Sequence, residues 1–372
     1  MPRLVIAGYY GFGNAGDEAI LEATVETLRE AIPGAEFTVL TNDPLTTRAA
    51  CGVDVVSRFS PAAVFGAIRA SDMLLFGGGS LLQDVTSLRS LVYYLSLLFA
   101  AQSLGKPTMI YANGFGPVYS SLGTALTRTV VNRVSAITLR DSESARQMAK
   151  IGVGRPEIRV TADPTFTLQP AGNDSARGIL EEAGVLPLDR PLDRPLVGVS
   201  LRPWRDEEGL VAGMAEACDM IRDDLGATIL FIPMQRTRDG PIAEAIRRRM
   251  KGPAAILKRG CAPRELMACI KMTDAVIGMR LHSLIFGVAA AVPVAGIVYD
   301  PKIQAFLDAA GCPALGAPGE IEPRAVFETV RGLLDDAGTI RRDLARKRDE
   351  FRLLALENAR IARELLQRGR SG

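Results

Sequence analysis

One stretch decides the fold class of this chain: DAVIGMRLHSLIFG, residues Asp274–Gly287. Its first part is a short apolar run typical of a buried parallel strand, and its second part suits a buried helix. A second apolar run, Pro293–Tyr299, predicts the next strand. The order strand, helix, strand is that of a βα unit in a parallel sheet.

His282 is the only histidine in the sequence and lies at the predicted strand-to-helix turn. Open α/β sheets bind ligands at the carboxyl ends of their strands. A lone histidine can instead be a neutral core residue bonded to a backbone carbonyl. Arg280 beside it and Lys302 after the next strand favour a functional site. Three cationic groups at successive strand ends suggest a bound anion.

Length and composition predict two domains, since 372 residues with 48% hydrophobic content can form two cores. The net charge of +2 is too small to indicate a nucleic-acid partner. Five cysteines lack metal-binding spacing, which favours reduced thiols in a reducing compartment. With one histidine and no such spacing, we expect neither a metal site nor a cofactor.

The sequence favours a cytoplasmic location. The first apolar run, Leu4–Gly8, has the length of a strand and is too short for a secretory signal. Residues Leu91–Ala101 are apolar on all sides but too few to cross a bilayer. We interpret them as a buried helix. Contact with the inner face of the cell membrane is the alternative.

Apolar runs of four to six residues alternate with helical patterns along the whole chain, which is typical of parallel sheets. We therefore predict an α/β fold of two Rossmann-type, doubly wound domains with a cleft between them. The predicted strands of the first half are Leu4–Gly8, Glu36–Leu40, Val53–Val56, Met73–Phe76, Thr108–Tyr111 and Ala136–Leu139. Those of the second half are Leu196–Leu201, Ala227–Ile232, Ala254–Leu257, Ala275–Ile277 and Val294–Val298.

The domain boundaries follow from a linker with a tandem Pro-Leu-Asp-Arg repeat, Pro187–Pro195. We predict an N-terminal domain over residues 1–185 and a C-terminal domain over residues 196–334. Residues 335–372 contain a long charged amphipathic helix, Ile340–Gln367. This helix is expected to pack back on the N-terminal domain, with a solvated dimer contact as the alternative.

The first glycine-rich motif, GYYGFGNAGDEA (Gly8–Ala19), follows the first strand and opens a helix. Its spacing is not that of a dinucleotide-binding loop, and its two acidic residues would repel a pyrophosphate. Asp17 either caps the helix or acts as a general base for a hydroxyl. Asn14 is a candidate substrate contact in the same loop.

Two further glycine turns end predicted strands. Gly77, Gly78 and Gly79 precede Ser80, and three consecutive glycines make room for a ligand beside backbone donors. A simple tight turn is the alternative. Asn113 begins the other turn, and we include it with these four residues among the candidate substrate-binding groups.

Two cationic residues at strand ends complete the candidate site. Arg140 can bind a phosphate or carboxylate in bidentate fashion, or it can form an ion pair with Asp141 or Glu143. Lys302 either binds an anion or is a solvated lysine. The segments around Arg202 and Gln235 also end strands and could line a nucleotide or sugar pocket.

In combination, these motifs resemble the polysaccharide pyruvyl transferase family, and within it the CsaB type. The resemblance covers nearly the whole chain and depends on Gly8–Ala19, Phe76–Ser87, Asn113–Pro117, Leu139–Ser144, Gly278–Ser283 and Tyr299–Lys302.

The resemblance implies a GT-B-like fold, with the N-terminal domain on the acceptor side and the C-terminal domain on the donor side. It implies transfer of the pyruvyl group of phosphoenolpyruvate onto a sugar as a cyclic ketal, with release of phosphate. The expected acceptor is a lipid-linked or nucleotide-linked amino sugar, in the CsaB type N-acetylmannosamine of a cell-wall polysaccharide precursor. The product of that type anchors S-layer homology domains.

By position, Arg140, His282 and Lys302 match the family residues of the phosphoenolpyruvate site, and Asp17 matches the acidic residue of the first motif. Asp17 and His282 are the candidate catalytic residues, and the choice between them as base stays open. A GT-B glycosyltransferase that uses a sugar nucleotide is the alternative function. A non-catalytic sugar- or nucleotide-binding module is a third. An oligomer remains an open expectation.

Overall fold

The fold was analysed in a computed structural model, which describes residues 1–85, 87–185 and 194–370. The chain forms two compact units. Unit 1 comprises Met1–Leu168 and Phe351–Gly372, and unit 2 comprises Gln169–Glu350.

Unit 1 is built on a seven-stranded parallel sheet. Its strands, in chain order, are β1 (Arg3–Ala7), β2 (Glu36–Thr41), β3 (Asp54–Ser57), β4 (Met73–Gly77), β5 (Thr108–Asn113), β6 (Ala136–Leu139) and β7 (Ile158–Val160). Their spatial order is β3-β2-β1-β4-β5-β6-β7. The order reverses beside β1, so the loops after β1 and β4 leave the sheet at its topological switch point.

Helices cover both faces of this sheet. They are α1 (Ala15–Ala31), α2 (Pro44–Cys51), α3 (Pro61–Ala70), α4 (Leu88–Ser103), α5 (Ser121–Val131), α6 (Ser142–Lys150) and the C-terminal part of α14 (Ala337–Arg370). Helices α3 to α6 share one apolar core with the sheet. Helices α1, α2 and α14 contribute to the core on the opposite face.

Unit 2 has a five-stranded parallel sheet in the order β10-β9-β8-β11-β12. The strands are β8 (Leu196–Ser200), β9 (Thr228–Phe231), β10 (Ala255–Ile256), β11 (Ala275–Gly278) and β12 (Val294–Gly296). The helices are α7 (Asn173–Glu182), α8 (Glu207–Leu225), α9 (Arg236–Arg249), α10 (Pro263–Lys271), α11 (Leu281–Ala289), α12 (Pro301–Ala310) and α13 (Pro323–Asp335). Both units are therefore of the predicted Rossmann type.

Every predicted strand is present near its predicted position, because each is a short, mostly apolar run. Strand β7 was not predicted. It has three residues, and two of them, Arg159 and Val160, are exposed at the edge of the sheet. A strand of three residues is too short for its alternation of apolar and polar residues to be detected.

Residues Leu91–Ala101 form a helix, as predicted, but this helix is buried on one side only. Helix α4 buries one side against the sheet, but Val92, Ser96 and Phe99 are exposed. The apolar residues on this outer side are solvent-facing because α4 lies in the layer that covers the sheet. Among the described residues, no helix is long and apolar enough to span a membrane.

Unit 1 ends earlier than the boundary that we expected at residue 185. Helix α7 belongs to unit 2 because it packs against α10. Most of the repeat on which the expected boundary rested, Pro187–Asp193, lies outside the described residues.

The C-terminal helix α14 begins in unit 2 and ends in unit 1. Buried Asn358 joins it to unit 1: its side-chain amide donates to the carbonyl of Ala162 (3.2 Å) and accepts from the Thr161 hydroxyl (2.8 Å). Nearby, Ala359, Ala362 and Leu366 are part of the apolar core.

Replacing Asn358 by Leu should lower the free energy of unfolding by about 2 kcal/mol, because it removes the hydrogen bonds that the side chain makes with the buried residues Thr161, Ala162 and Ala355. Urea unfolding followed by circular dichroism measures the change. The control is Leu356→Asn at a partly exposed position of the same helix, which should change stability by less than about 0.5 kcal/mol. Equal effects of the two variants would contradict this role of Asn358.

Candidate functional site

In unit 1, the predicted residues lie in loops at the carboxyl ends of adjacent strands. The loops follow β1, β4, β5 and β6, which are neighbours in the sheet. Direct hydrogen bonds join them: the Tyr10 hydroxyl donates to the Gly77 carbonyl (2.9 Å), and the Gly114 N–H donates to the Gly79 carbonyl (3.0 Å). The Arg140 N–H donates to the Asn113 carbonyl (3.1 Å). The structure thus brings the unit 1 candidates to one edge.

Asp17 lies in the first turn of α1, buried beside the triple glycine. A Cβ atom on Gly79 would lie 2.8 Å from a carboxylate oxygen of Asp17, and Gly79 has a φ of +66°. Only glycine tolerates both conditions. The glycines therefore allow a carboxylate and a strand end to meet, as the sequence suggested.

Asn14, and not Asp17, is the N-cap of α1. Its side-chain oxygen accepts from the Gly16 N–H (3.2 Å), and its amide donates to the Asp17 carboxylate (2.5 Å). The alternative that Asp17 caps the helix is therefore not observed. Asn14 holds the Asp17 carboxylate in place.

Glu18, the neighbour of Asp17, holds the loop after β1. Its carboxylate accepts from the N–H groups of Gly11 (2.8 Å) and Phe12 (3.2 Å). Burial raises the pKa of Glu18 to about 7, and the nearby Asp17 charge adds to the rise, while the loop N–H bonds oppose it. This role of Glu18 in holding the loop was not predicted from the sequence.

Two aromatic rings of the same loop are stacked. Tyr9 and Phe12 have ring centroids 4.1 Å apart with planes at 7°. The Arg58 guanidinium lies 5.3 Å from the Phe12 ring centroid. These rings form a partly buried aromatic surface, which the glycine spacing alone did not indicate.

Asn113 ends β5 at an irregular point of the sheet. The β5–β6 register shifts between Ile110 and Asn113, and Ala112 has a φ of +48°, in a region unfavourable for alanine. The buried Asn113 amide donates to the Phe76 carbonyl (3.0 Å). Its side-chain oxygen has no protein partner among the described residues.

Arg140 forms an ion pair with Asp163, with neither of the expected partners Asp141 and Glu143. The two side chains are 5% and 3% exposed, and their closest atoms are 2.8 Å apart. The Arg140 guanidinium also reaches Ser80 (3.4 Å). Asp141 instead caps α6, because it accepts from the N–H and the hydroxyl of Ser144.

In unit 2, Arg280 is held by a buried carboxylate. Its guanidinium makes a two-point contact with Asp239, which is 1% exposed and also accepts from the Gln235 N–H (2.8 Å). Arg280 is thus neutralised within the protein. The pair orients Arg280 in the loop between β11 and α11, and its role as a substrate contact stays a prediction.

His282 and Lys302 lie in the first turns of two adjacent helices. Strands β11 and β12 pair in register, with Gly278 opposite Gly296, so α11 and α12 begin on neighbouring loops. The Lys302 ammonium is 2.9 Å from the Asp300 carboxylate and is partly exposed. Both residues lie at the carboxyl edge of the sheet.

Arg202, Trp204 and Tyr299 form an aromatic and cationic cluster at this edge. The Arg202 guanidinium lies 4.8 Å from the Tyr299 ring centroid and donates to its hydroxyl (3.1 Å). The Trp204 and Tyr299 rings are 5.2 Å apart. The Arg202 Nε and the Ser200 hydroxyl are buried with no partner in the described part of the chain.

Sequence reasoning missed the two carboxylates that pair with arginines. Asp163 follows the unpredicted strand β7, and Asp239 lies in the first turn of α9. Each is distant from its arginine along the chain, and no local signal connects them. The position of Asp163 just after β7 could have indicated a functional carboxylate, but only if β7 had been recognised as a strand.

The two parallel α/β units define a GT-B-like fold. The same fold occurs in the HepE protein of Anabaena in complex with UDP-glucose (12% identity, 100% of both chains covered, TM-score 0.63). It also occurs in Staphylococcus aureus MnaA bound to UDP (11% identity, 96% of this chain and 94% of that chain, TM-score 0.64). A third case is UDP-GlcNAc 2-epimerase from Neisseria meningitidis bound to UDP-GlcNAc (10% identity, 99% and 100% covered, TM-score 0.63). At these identities the likeness concerns the fold alone.

A family profile described as polysaccharide pyruvyl transferase matches residues 14–301, which is most of the chain. The chain therefore belongs to the polysaccharide pyruvyl transferase family. A search of curated proteins gives no significant match.

We expect Glu18 to make stability pH-dependent. Its pKa is about 7 in the folded protein against an ordinary value of 4.5, so the unfolded chain releases the proton first as the pH rises. The contribution of Glu18 to stability therefore falls between these values. This fall is absent in Glu18→Gln. The difference in melting temperature, variant minus wild type, should therefore increase between about pH 5 and about pH 7.5. Glu30→Gln, at an exposed position of α1, should show no such trend.

Replacing Asp239 by Asn should lower the free energy of unfolding by about 3 kcal/mol, because a buried guanidinium loses its charge partner. Urea unfolding measures the effect. The matched control is Glu244→Gln, which breaks solvent-exposed pairs with Arg247 and Arg248 and should cost less than about 1 kcal/mol. A small loss in Asp239→Asn would show that Arg280 is not held by this pair.

Proposed function

We propose that this protein transfers the pyruvyl group of phosphoenolpyruvate onto a sugar, forms a cyclic ketal and releases phosphate. Family membership supports pyruvyl transfer. The observation that carries the choice of donor is the placement of His282 and Lys302 in the first turns of adjacent helices in unit 2. Helix N-termini and cations together favour a small, strongly anionic ligand.

The donor contacts are proposed residue by residue. Lys302 would exchange its contact with Asp300 for the phosphate or carboxylate of phosphoenolpyruvate. Arg140 is the second proposed anion-binding group. Its charge is balanced by Asp163, so we propose that it binds through fixed hydrogen-bond geometry more than through net charge. The Ser80 hydroxyl beside it is a further proposed contact.

The chemistry begins with delivery of a proton to the methylene carbon of phosphoenolpyruvate. This step creates an oxocarbenium-like centre at the neighbouring carbon, which a sugar hydroxyl attacks. Phosphate then leaves, and a second hydroxyl closes the ketal ring. We propose His282 as the acid and Asp17 as the base that takes a hydroxyl proton. In the net reaction, one of the two hydroxyl protons replaces the proton delivered to the methylene carbon, which becomes a methyl group. The other proton is carried away by the released phosphate.

For the acceptor, we propose an amino sugar, N-acetylmannosamine of a lipid-linked precursor as in the CsaB type, with a product that anchors S-layer homology domains. The aromatic pair Tyr9 and Phe12 offers a surface suited to a sugar ring. Asn14, Asn113 and the glycines Gly77–Gly79 are proposed to line the acceptor side. Structures of the same fold hold UDP or UDP-sugars, which fits a sugar substrate. We propose action in the cytoplasm.

A glycosyltransferase that uses a sugar nucleotide is not favoured. The family profile points to pyruvyl transfer, and the structures that bind UDP are only 10–12% identical to this chain.

The first experiment measures phosphate release from phosphoenolpyruvate with a synthetic lipid-linked acceptor that contains N-acetylmannosamine. Wild type should release phosphate only with the acceptor present, and His282→Ala should lose at least about 100-fold in rate, because it removes a general acid. Wild-type release without acceptor dependence would contradict transfer. No release together with no calorimetric binding of phosphoenolpyruvate would reject this donor.

Asp17→Asn separates catalysis from donor binding. The variant keeps the size of the side chain but cannot accept a proton, so turnover should fall about 100-fold or more while the phosphoenolpyruvate Kd stays within about threefold. Glu26→Gln, an exposed change on the same helix, is the matched control and should keep wild-type turnover. Unchanged turnover in Asp17→Asn would remove Asp17 from the mechanism.

A further inference from the structure

Helices α3, α4 and α5 form an exposed layer on one face of unit 1, with α4 in contact with both of its neighbours. Large apolar side chains face solvent along this layer. Phe65 of α3 is 48% exposed, Val92 and Phe99 of α4 are 41% and 51% exposed, and Leu122 of α5 is 55% exposed. We call these four residues the apolar patch. Val92 and Phe99 are seven residues apart and lie on one side of α4.

The charge of this layer is of one sign. The sequence contains no Asp or Glu from Val55 to Ser71 or from Val85 to Arg140, which covers α3, α4 and α5 completely. The exposed charges on the three helices are Arg69, Arg89 and Arg128. Helix α1, on the opposite face of the sheet, has five acidic residues: Asp17, Glu18, Glu22, Glu26 and Glu30.

Cations lie directly beside the most prominent aromatic side chain of the patch. A shallow depression is lined by Phe99, Gln102, Ser103, Lys106 and Arg133. An exposed phenylalanine flanked by a lysine and an arginine can insert its ring among acyl chains while the cations meet anionic headgroups.

We propose that this face of unit 1 docks on an anionic lipid bilayer. The apolar patch would enter the boundary between headgroups and acyl chains, and the surrounding arginines and lysine would bind lipid phosphates. A second copy of the chain fits less well, because a symmetric contact would place a purely cationic surface against itself. A 16-residue helix such as α4 is too short to cross the bilayer, so the contact is interfacial.

This docking would keep unit 1 beside a lipid-linked acceptor. Lipid binding by this face does not depend on the reaction. A variant of the patch should release phosphate at the wild-type rate with a water-soluble acceptor fragment, so failure of docking and failure of the proposed reaction give different results.

The test is co-sedimentation of the full chain with vesicles of phosphatidylcholine alone and of phosphatidylcholine with phosphatidylglycerol. Wild type should bind the anionic vesicles, and added salt should weaken binding because it screens the cations. The double variant Val92→Ser with Phe99→Ser should partition at least about tenfold less, since it removes two inserted apolar groups. Lys106→Glu with Arg133→Glu should abolish the preference for anionic vesicles.

The matched controls lie on α14. Leu353→Ser with Leu354→Ser removes two exposed apolar side chains, and Arg346→Glu with Lys347→Glu reverses one exposed and one partly exposed charge. Both α14 controls should bind vesicles as the wild type does. The melting temperature should be unchanged in these two controls and in the two double variants of the α3–α5 face. Absence of wild-type binding, or equal loss in the α14 controls, would overturn the proposal. The proposal would also be overturned if the wild type binds no lipid, forms a dimer in sedimentation velocity, and loses that dimer in the patch variant.

Discussion

The close approach of backbone and side chains at the carboxyl ends of β1 and β4 is the constraint on which the unit 1 site depends. The Tyr10 hydroxyl bonds the Gly77 carbonyl, and the Asp17 carboxylate lies where a side chain on Gly79 would be. Glycine is required because any Cβ would separate the two loops. Burial and the nearby carboxylates raise the pKa of Tyr10 well above its ordinary value, so its hydroxyl stays a hydrogen-bond donor.

Each unit also contains an arginine fixed by a carboxylate from a distant segment. Arg140 pairs with Asp163 and Arg280 pairs with Asp239, and all four side chains are largely buried. A buried pair of this kind orients its arginine but lowers the net charge that a ligand meets. In unit 2, His282 and Lys302 lie in the first turns of α11 and α12, and Arg280 lies in the loop between β11 and α11.

Much of this site could be predicted from local sequence. A buried strand followed by glycines or a polar residue predicts a loop at the carboxyl edge, and Gly77–Ser80, Asn113 and Arg140 all follow that rule. The pairing of Arg140 with Asp163 could not be predicted, because β7, at three residues, is too short to be recognised as a strand. The cap of α1 was not predicted either: Asp17 was the expected capping alternative, and Asn14 occupies that position.

The sequence by itself determined the fold class, the positions of all but one strand, and the family, because apolar periodicity and glycine turns are local properties of the chain. The tertiary structure alone decided which charges meet: Arg140 with Asp163, Arg280 with Asp239, and Asn358 of α14 with Thr161. It also decided that Val92 and Phe99 face solvent. These outcomes depend on which sides of helices the sheets cover, and contacts between residues far apart in sequence leave no trace in local composition.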